Sequence, residues 1–370
     1  MWSRREIVSG EGQSSTPVLK TNATLHGFAE RHGFYPVDEA GYVALPILEQ
    51  VENEDEQALQ ARMRELSWEV PASTWKPIPC RGTPAACPRR FIDGSLSSRT
   101  IGAVWVEGAR RPLVLAVVGA LELRLEDSRL VRPFDGYSLK PVLCLVSNGL
   151  DGDEVAELAA GCSRLGIHLL AAESTEVSVD FEVLRRRSFD LAKQAMEAEE
   201  RDLLLREPKL PALVDGLLER RLVTVASQQM PVVGMVKRQL RQYLPNSHVG
   251  LLYELKPGQR TPAFLLETEH ARVVTWYLRL STIDNVGPNY GLVRLTMPLE
   301  YLANAFPEPA ERTDEISAIS DFIRTLRHRE ASYGRVGVSL EPIVRVEDEL
   351  HALMPSINEL VAGMLRSLAA

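Results

Sequence analysis

Short apolar runs that end at turn residues mark the middle of the chain and predict β-strands there. Three of these runs, at residues 91–95, 100–107 and 113–125, follow one another closely. The Gly-Ala-Arg-Arg sequence at 108–111 supplies the turn of a hairpin between the second and the third. The pattern therefore predicts a meander of three strands.

Helical periodicity follows the meander. Apolar residues recur at helical spacing over 151–165 and over 180–205, and Pro208 marks the end of the longer helix. Compact apolar runs at 167–171 and 210–214 predict one strand after each helix. The order of three strands, helix, strand, helix and strand is that of the ribonuclease H-like fold, a mixed sheet flanked by helices. We therefore predict an α/β protein of this class, with its chemistry at the strand ends.

Further strands and helices are predicted C-terminal to this core. The strands are at 232–236, 251–256, 263–267, 272–280 and 290–296, and the helices are at 299–305, 311–329 and 346–368. The N-terminal part differs, because an acidic run at 52–56 leads into a helical stretch through Leu66 and a Pro-rich linker covers 71–88. We therefore predict an appended region with its linker at 1–85 and one domain at 86–370.

The composition is that of a globular protein with a core, since 45% of the 370 residues are hydrophobic and 25% are charged. A net charge of -8 excludes a nonspecific, histone-like grip on nucleic acid but permits local basic patches. The longest apolar stretch, 112–121, falls short of the roughly 20 residues of a membrane helix. The chain shows no signal-peptide core, no CxxC pair and no P-loop motif. These features predict a cytoplasmic protein without a membrane partner that does not hydrolyse ATP by itself.

Two aspartates occupy the same local setting, Asp93 in Phe-Ile-Asp-Gly-Ser and Asp215 in Leu-Val-Asp-Gly-Leu. Each follows an apolar strand and precedes a glycine. A carboxylate at a buried strand end is costly to ionise unless something compensates it, and a divalent cation is one such compensation. The alternative for each residue is an ordinary turn or helix cap, because Asp-Gly is a favoured turn pair. Since the setting occurs twice, we predict that both aspartates bind a metal.

A third carboxylate is expected from the long helix between the two aspartates. Glu197, Glu199 and Glu200 lie one to two turns before this helix ends, and the spacing favours Glu197. Most acids of the helix must be solvated, so the other two glutamates stay as alternatives. If the trio holds Mn²⁺ or Mg²⁺, the metal would activate a water molecule and stabilise the leaving oxygen of a phosphodiester.

Successive motifs of the chain resemble those of the NurA family of nucleases. They are Arg-Phe-Ile-Asp-Gly-Ser-Leu at 90–96, Pro-Ala-Leu-Val-Asp-Gly-Leu-Leu at 211–218 and Val-Val-Gly-Met-Val-Lys-Arg at 232–238. Trp-Tyr-Leu-Arg-Leu at 276–280 and Gly-Leu-Val-Arg-Leu-Thr-Met-Pro at 291–298 resemble the family's paired C-terminal strands, each of which bears an arginine. The resemblance spans about residues 89–350.

This resemblance implies a homodimeric, manganese-dependent nuclease that degrades DNA from its ends beside a HerA-type hexameric DNA-translocating ATPase. It matches Asp93 and Asp215 to the family's two metal aspartates and places the helix glutamate near Glu197. Lys237 matches the lysine after the Gly-Met-Val strand, where a cation could contact a phosphate; its alternative is an ordinary surface lysine. Contacts with nucleic acid are implied for Arg279, Arg294 and Tyr333.

The last third of the chain departs from the family pattern, which has a tyrosine and then a histidine close to the metals. Here Tyr333-Gly-Arg-Val-Gly-Val-Ser-Leu-Glu-Pro occupies that region, and the nearby histidines are His328 and His351. Glu341, inside this run, is either a substitute ligand and catalytic residue or the ion-pair partner of a neighbouring arginine. The missing histidine therefore bears directly on whether the chain is active.

Three functions remain open on the sequence. The first is a metal-dependent DNA nuclease in end resection during repair or in defence, which retention of both Asp-Gly strand ends favours. The second is a non-catalytic adaptor that binds DNA and the ATPase, which the missing histidine favours. The third is another ribonuclease H-like nuclease, of the Argonaute or resolvase type, acting on RNA or junctions; the segment at 232–237 and the paired arginine strands disfavour it.

Overall fold

The computed structural model of the protein describes residues 23–37, 68–173, 178–218, 221–222, 224, 227–237, 243–244, 246–267, 271–282, 287, 289–329 and 337–369. The acidic run at 52–56 and the helical stretch predicted after it lie outside these residues.

In the described part of the chain, thirteen strands form one sheet. They are β1 (Tyr35–Pro36), β2 (Ile78–Pro79), β3 (Arg90–Val106), β4 (Ala109–Glu126), β5 (Arg129–Val131), β6 (Tyr137–Val146), β7 (His168–Ala172), β8 (Ala212–Asp215), β9 (Val232–Val236), β10 (Gln259–Arg260), β11 (Phe264–Glu267), β12 (Arg272–Arg279) and β13 (Leu292–Pro298). The helices of the same residues are α1 (Ala23–Arg31), α2 (Gly152–Ser163), α3 (Phe181–Arg206), α4 (Asn246–Glu254), α5 (Leu299–Ala305), α6 (Pro309–Thr325), α7 (Glu341–Leu353) and α8 (Ile357–Ala369).

Five central strands have the order of the ribonuclease H-like fold. The antiparallel meander consists of β3, β4 and β6. On the other side of β3, β8 lies parallel to it and β9 lies parallel to β8, which gives the order β6-β4-β3-β8-β9. Helices flank this mixed sheet, and additional strands and helices follow it in the chain. The predicted fold class is therefore confirmed.

The strands of the meander differ from those predicted. β3 is a single strand that runs through both of the first two predicted strands, with a bulge between Thr100 and Gly102. The third strand is β6, which was not predicted, because Pro141 interrupts its apolar run and weakens the strand pattern. β7 pairs with β6 at the far side of the meander and does not approach β8.

Two C-terminal predictions were also wrong. Residues 251–256, predicted as a strand, belong mainly to α4, where Leu251 and Leu252 are buried, and Leu255 is buried directly after the helix ends. The helix predicted at 346–368 is two helices, α7 and α8, because Pro355 cannot continue the first of them.

Described parts of the first 85 residues pack onto the same fold. β1 pairs with β3, and β2 pairs with β10. Leu25 and Phe28 of α1 are buried in a cluster with Leu158 of α2 and Leu368 of α8. These contacts attach α1, β1 and β2 to the sheet, while the domain boundary between residues 85 and 86 stays a prediction.

Helices α3 and α7 lie on opposite faces of the meander. Ala192 of α3 is buried in a cluster with Val118 of β4. Ile343 and Leu350 of α7 are buried in a different cluster with Leu121 of β4. Because side chains alternate along a strand, Val118 and Leu121 point to opposite faces. Acidic residues of the two helices therefore approach the centre of the sheet from opposite sides.

None of the helices in the described ranges combines the length and the apolar character needed to cross a membrane.

Candidate metal centre

The pairing of two parallel strands brings Asp93 and Asp215 together. β3 and β8 are in register at Ile92 and Val214, so the next residues, Asp93 and Asp215, stand side by side. Phe91 and Ile92 are both fully buried, on opposite faces of the sheet. Asp93 therefore continues a strand that is covered on both faces, and it is 9% exposed.

The glycine that follows each aspartate is required by the structure. A Cβ atom on Gly94 would lie 2.8 Å from Oε1 of Glu200 and 2.9 Å from Cγ of Met196. Gly216 has a φ angle of +99°, which side chains of L-residues rarely adopt. The Asp-Gly pairs thus reflect the close approach of α3 to β3 and the turn that ends β8.

The third carboxylate of the centre comes from α7. Asp93, Asp215 and Glu347 each offer a ligand oxygen, and these three oxygens lie within 4.8 Å of one another. Glu347 was not among the residues predicted from the sequence. It lies about one turn from Ile343 and from Leu350, which are both buried, so a carboxylate occupies the apolar face of this helix. That placement is the signal by which Glu347 could have been found.

Lys237, directly after β9, places its ammonium group among these carboxylates. Its Nζ lies 2.7 Å from Oδ2 of Asp215 and 3.4 Å from Oε1 of Glu347. The lysine side chain is 5% exposed, which excludes the alternative of an ordinary surface lysine. One ammonium group faces three carboxyl groups, so the centre keeps a surplus of negative charge when all of them are ionised.

This surplus changes the proton affinities in the centre. Burial raises the pKa of Asp93 well above its usual value, and the carboxylates of Asp215 and Glu200 raise it further, against the opposing effect of Lys237. Burial by itself would lower the pKa of Lys237, but the attraction of Asp215 and the other carboxylates outweighs it and raises that pKa. Asp93 therefore holds its proton more tightly than an exposed aspartate does, and a bound cation would have to displace it.

The donor set fits a hard divalent cation. Carboxylate oxygens are the ligands that Mg²⁺ and Mn²⁺ prefer in proteins. The residues that would hold the cation are Asp93, Asp215 and Glu347, and a cation there would offset the surplus charge. Both metals named from the sequence suit this donor set.

Glu200 of α3 forms a buried ion pair beside the centre. Nε of Arg221 donates to Oε2 of Glu200 at 2.9 Å, and the two side chains are 4% and 1% exposed. Burial raises the pKa of Glu200 to about 7, although Arg221 lowers it. Nη2 of Arg221 also donates to the carbonyl oxygen of Asp215 at 3.1 Å. The pair thus stabilises the end of β8, where Asp215 lies.

Glu199 has a different environment on the same helix. Oγ of Ser138 and Nζ of Lys140 each donate to its carboxylate at 2.5 Å, and both come from β6. Glu199 therefore joins α3 to the meander instead of facing the aspartates.

Glu197, the predicted third ligand, lines a cleft that Asp93 and Asp215 also line, but it is not one of the three converging carboxylates. The reason is that the side chain of Asp93 and helix α3 lie on opposite faces of the sheet. Asp93 points to the same face as Phe91, which packs in the cluster of α7, whereas α3 covers the opposite face. The cleft has a volume of about 280 Å³ and is lined by Asp93, Gly94, Lys193, Met196, Glu197, Glu200, Asp215, Gly216, Leu217, Arg221, Val236 and Lys237.

The arginines of the paired C-terminal strands are buried. Arg279 is 3% exposed, and its Nη2 donates to the carbonyl oxygen of Leu252 at 2.7 Å. Arg294 is 1% exposed and lies 4.4 Å from the ring centroid of Tyr243. This placement does not support the DNA contacts implied for the two arginines, because their guanidinium groups lie inside the protein. Tyr333 lies outside the described residues.

Glu341 begins α7 and forms ion pairs there. Its Oε2 lies 2.5 Å from Nδ1 of His328, and its Oε1 accepts from Nε of Arg345 at 2.9 Å. These hydrogen bonds lower the pKa of Glu341, against the opposing effect of its partial burial. Glu347 lies further along the same helix, by about 9 Å at a rise of roughly 1.5 Å per residue. The structure thus agrees with the ion-pair alternative for Glu341, and Glu347 supplies the carboxylate of α7 that joins the centre.

Replacing Asp93 by asparagine is expected to stabilise the metal-free protein and to abolish stabilisation by Mn²⁺. An unfolded aspartate titrates at about 3.9, whereas burial raises the folded pKa of Asp93. Between these two pKa values the folded state therefore binds more protons than the unfolded state. The free energy of unfolding falls as the pH rises through that window. Asparagine carries no charge and keeps the oxygen that accepts from the Gly94 amide at 2.9 Å.

Thermal unfolding of both proteins with EDTA and with Mn²⁺, from about pH 4 to about pH 8, tests this expectation. Mn²⁺ at about a hundred times its Kd should add about 2.7 kcal/mol to the unfolding free energy of the wild type alone. An Asp93→Asn variant that is less stable than wild type near pH 8 in EDTA, or equally stabilised by Mn²⁺, contradicts it.

Comparison with solved structures gives a distant match. The NurA nuclease from Sulfolobus solfataricus aligns with 84% of this chain and 91% of its own, at 11% sequence identity and a TM-score of 0.40. No family model matches the chain, and no curated protein matches its sequence. The match carries the same family name as the sequence resemblance, but similarity at this level assigns no activity. The chain's own residues therefore have to support the function.

Proposed function

We propose that the protein is a metal-dependent deoxyribonuclease that hydrolyses phosphodiester bonds at the centre formed by Asp93, Asp215 and Glu347. The observation that carries this proposal is the convergence of three carboxylates from two parallel strands and a C-terminal helix, with ligand oxygens within 4.8 Å of one another. Asp93 and Asp215 were expected there from the sequence, and Glu347 takes the place expected for Glu197.

When bound, Mn²⁺ or Mg²⁺ supplies Lewis-acid chemistry that activates water for attack on phosphorus and stabilises the charge of the leaving oxygen. Asp93, Asp215 and Glu347 are the residues that would hold the cation. The ammonium group of Lys237, beside the same carboxylates, would contact a phosphate oxygen of the substrate. Lys237 thus positions the phosphate and counters its charge.

The biological setting of this activity is proposed on the sequence resemblance alone. It comprises a homodimer that works with a HerA-type hexameric ATPase, in DNA end processing during repair or in defence against foreign DNA. The cytoplasm is the corresponding location.

Digestion of end-labelled linear DNA, single- and double-stranded, tests the proposal. With Mn²⁺ or Mg²⁺ we expect wild-type protein to degrade DNA and EDTA to stop it. Asp215→Asn should lose the activity, whereas Asp202→Asn, which changes an exposed acid of α3, should keep it. Wild-type protein that stays inert with both metals, alone and with its ATPase, contradicts the proposal.

A second candidate, the non-catalytic adaptor, is favoured by the position of Lys237. Its ammonium group already compensates part of the carboxylate charge at 2.7 Å from Asp215, so the cluster can form without a metal. An adaptor of this kind would bind DNA or the ATPase, digest nothing and show no change in Tm with Mn²⁺.

A further inference from the structure

A short loop between β5 and β6 presents a fully exposed phenylalanine. We call residues 132–137, Arg-Pro-Phe-Asp-Gly-Tyr, the Phe134 loop. The side chain of Phe134 is fully exposed, and Tyr137 at the base of the loop is 41% exposed. Two exposed aromatic side chains three residues apart form a larger apolar surface than a single scattered residue, which would need no explanation.

Contacts with helices α7 and α3 hold the Phe134 loop on both sides. Nη1 of Arg132 lies 2.8 Å from Oε1 of Glu349 on α7, and Nη1 of Arg206 on α3 donates to the carbonyl oxygen of Asp135. The amide of Gly136 donates to the carbonyl oxygen of Pro133 at 3.0 Å and closes the turn. These contacts fix the backbone on either side of Phe134, so its ring is presented to solvent on a supported loop.

The Phe134 loop lies close to the carboxylate centre. Leu121 of β4 pairs with Asp93 of β3 on one side and with Tyr137 of β6 on the other. Two strand spacings therefore separate Asp93 and Tyr137, about 10 Å between backbones, and their side chains share one face of the sheet. Leu121 between them is fully buried under α7, so this distance is the separation of the backbones and not the length of an open path.

The chemistry of the loop fits unpaired bases. The guanidinium group of Arg132 lies over the ring of Tyr137, 5.3 Å from its centroid, which forms a flat cationic surface. From 129 to 140 the sequence carries Arg129, Arg132 and Lys140 against Asp135, but Arg132 and Lys140 are each paired with a carboxylate outside this segment, those of Glu349 and Glu199. Aromatic side chains next to cations are the usual means by which proteins stack the bases of single-stranded nucleic acid.

We propose that Phe134, with Tyr137 and Arg132, stacks the unpaired bases of a DNA strand whose backbone is cleaved at the carboxylate centre. This inference rests on the proposed function and adds its substrate class, a single strand or an end whose bases are unstacked. Phe134 acts on binding and positioning and takes no part in the bond cleavage.

Fluorescence anisotropy in EDTA, which prevents cleavage, tests the stacking contact. The probes are a labelled 20-nucleotide oligothymidylate and an abasic oligonucleotide of the same length, at about 0.1 M salt. Phe134→Ala should weaken oligothymidylate binding roughly fivefold or more, because stacking contributes at least about 1 kcal/mol per base. Binding of the abasic probe should not change, because it offers phosphates but no bases.

Matched variants separate base stacking from the loss of any exposed apolar or aromatic side chain. Phe134→Trp should keep the affinity, Phe134→Leu should lose it, and Tyr253→Ala, which removes an aromatic side chain that is 52% exposed on α4, should have no effect. Equal affinities of wild type and Phe134→Ala, or equal losses on both probes, overturn the inference while the proposed function stands.

Two further outcomes also contradict the inference. If Phe134→Ala changes the sedimentation coefficient but not the affinity for DNA, Phe134 is a contact between copies of the chain. If wild-type protein binds neither probe and digests no DNA, the proposed function fails as well.

Discussion

Glu347→Gln is expected to reduce DNA digestion at least about a hundredfold, because it removes a carboxylate that would bind the metal directly. Loss of groups that only support a metal ligand typically costs roughly 10- to 100-fold, and a direct ligand should cost no less. Glutamine keeps the length and an accepting oxygen for Lys237, whose Nζ lies 3.4 Å from Glu347. The fold should therefore persist, which Tm measurements check.

Two variants make this result specific. Asp348→Asn changes the next residue of the same helix, which is exposed, and should leave the rate of digestion unchanged. Glu197→Gln should retain most of the activity, because Glu197 lines the cleft without joining the three carboxylates. The opposite pattern, with activity lost in Glu197→Gln and kept in Glu347→Gln, would restore the ligand assignment made from the sequence.

Arg221→Met is expected to destabilise the protein by about 3 to 5 kcal/mol, because it leaves the carboxylate of Glu200 buried without its partner. Glu200 is 1% exposed, and burial raises its pKa to about 7 even beside Arg221. Without Arg221 that pKa rises further. Proton binding by the folded state then relieves part of the penalty at low pH, so the loss of stability should grow as the pH rises.

Urea unfolding near pH 5 and near pH 8 measures both effects. The double variant Glu200→Gln/Arg221→Met should recover part of the loss, and the double-mutant cycle gives the coupling energy of the pair. As a control, Arg272→Met removes an ion pair with Glu267 whose side chains are 54% and 63% exposed, and should cost no more than about 1 kcal/mol. A loss as small as this in Arg221→Met, or one that shrinks toward pH 8, contradicts the expectation.

Local sequence pattern was sufficient to select Asp93 and Asp215 as candidate site residues. An apolar run followed by Asp-Gly correctly marked the end of β8 at Asp215, but β3 continues through Asp93 and Gly94 to Val106, so the strand end predicted at Asp93 was wrong. The parallel pairing of β3 and β8, which brings Asp93 beside Asp215, was not predicted, because the strand at 167–171 comes before β8 in the chain and pairs with β6 instead. Helical periodicity gave α3 closely, since the predicted range 180–205 differs from Phe181–Arg206 by one residue at each end.

Local pattern failed where pairing and packing decide the outcome. β6 contains Pro141, which disfavours a strand, yet its pairing with β4 over the whole run from Tyr137 to Cys144 outweighs that preference. Residues 251–256 carry an apolar run that suits a strand or a buried helix, and only packing selected the helix α4. In both places the local conformational preference is smaller than the free energy gained by burying the segment in the fold.

The sequence by itself determined the fold class, the choice of the two Asp-Gly aspartates and the type of ligand at the centre, because each is encoded in short-range periodicity and side-chain chemistry. Only the tertiary structure decided that Glu347 completes the trio, that Arg221 compensates Glu200, and that Arg279 and Arg294 lie inside the protein. These facts depend on which face of the sheet each side chain and helix occupies. Glu347 is separated from Asp93 by most of the chain, and the packing of α7 against β3 and β4 brings the two carboxylates together.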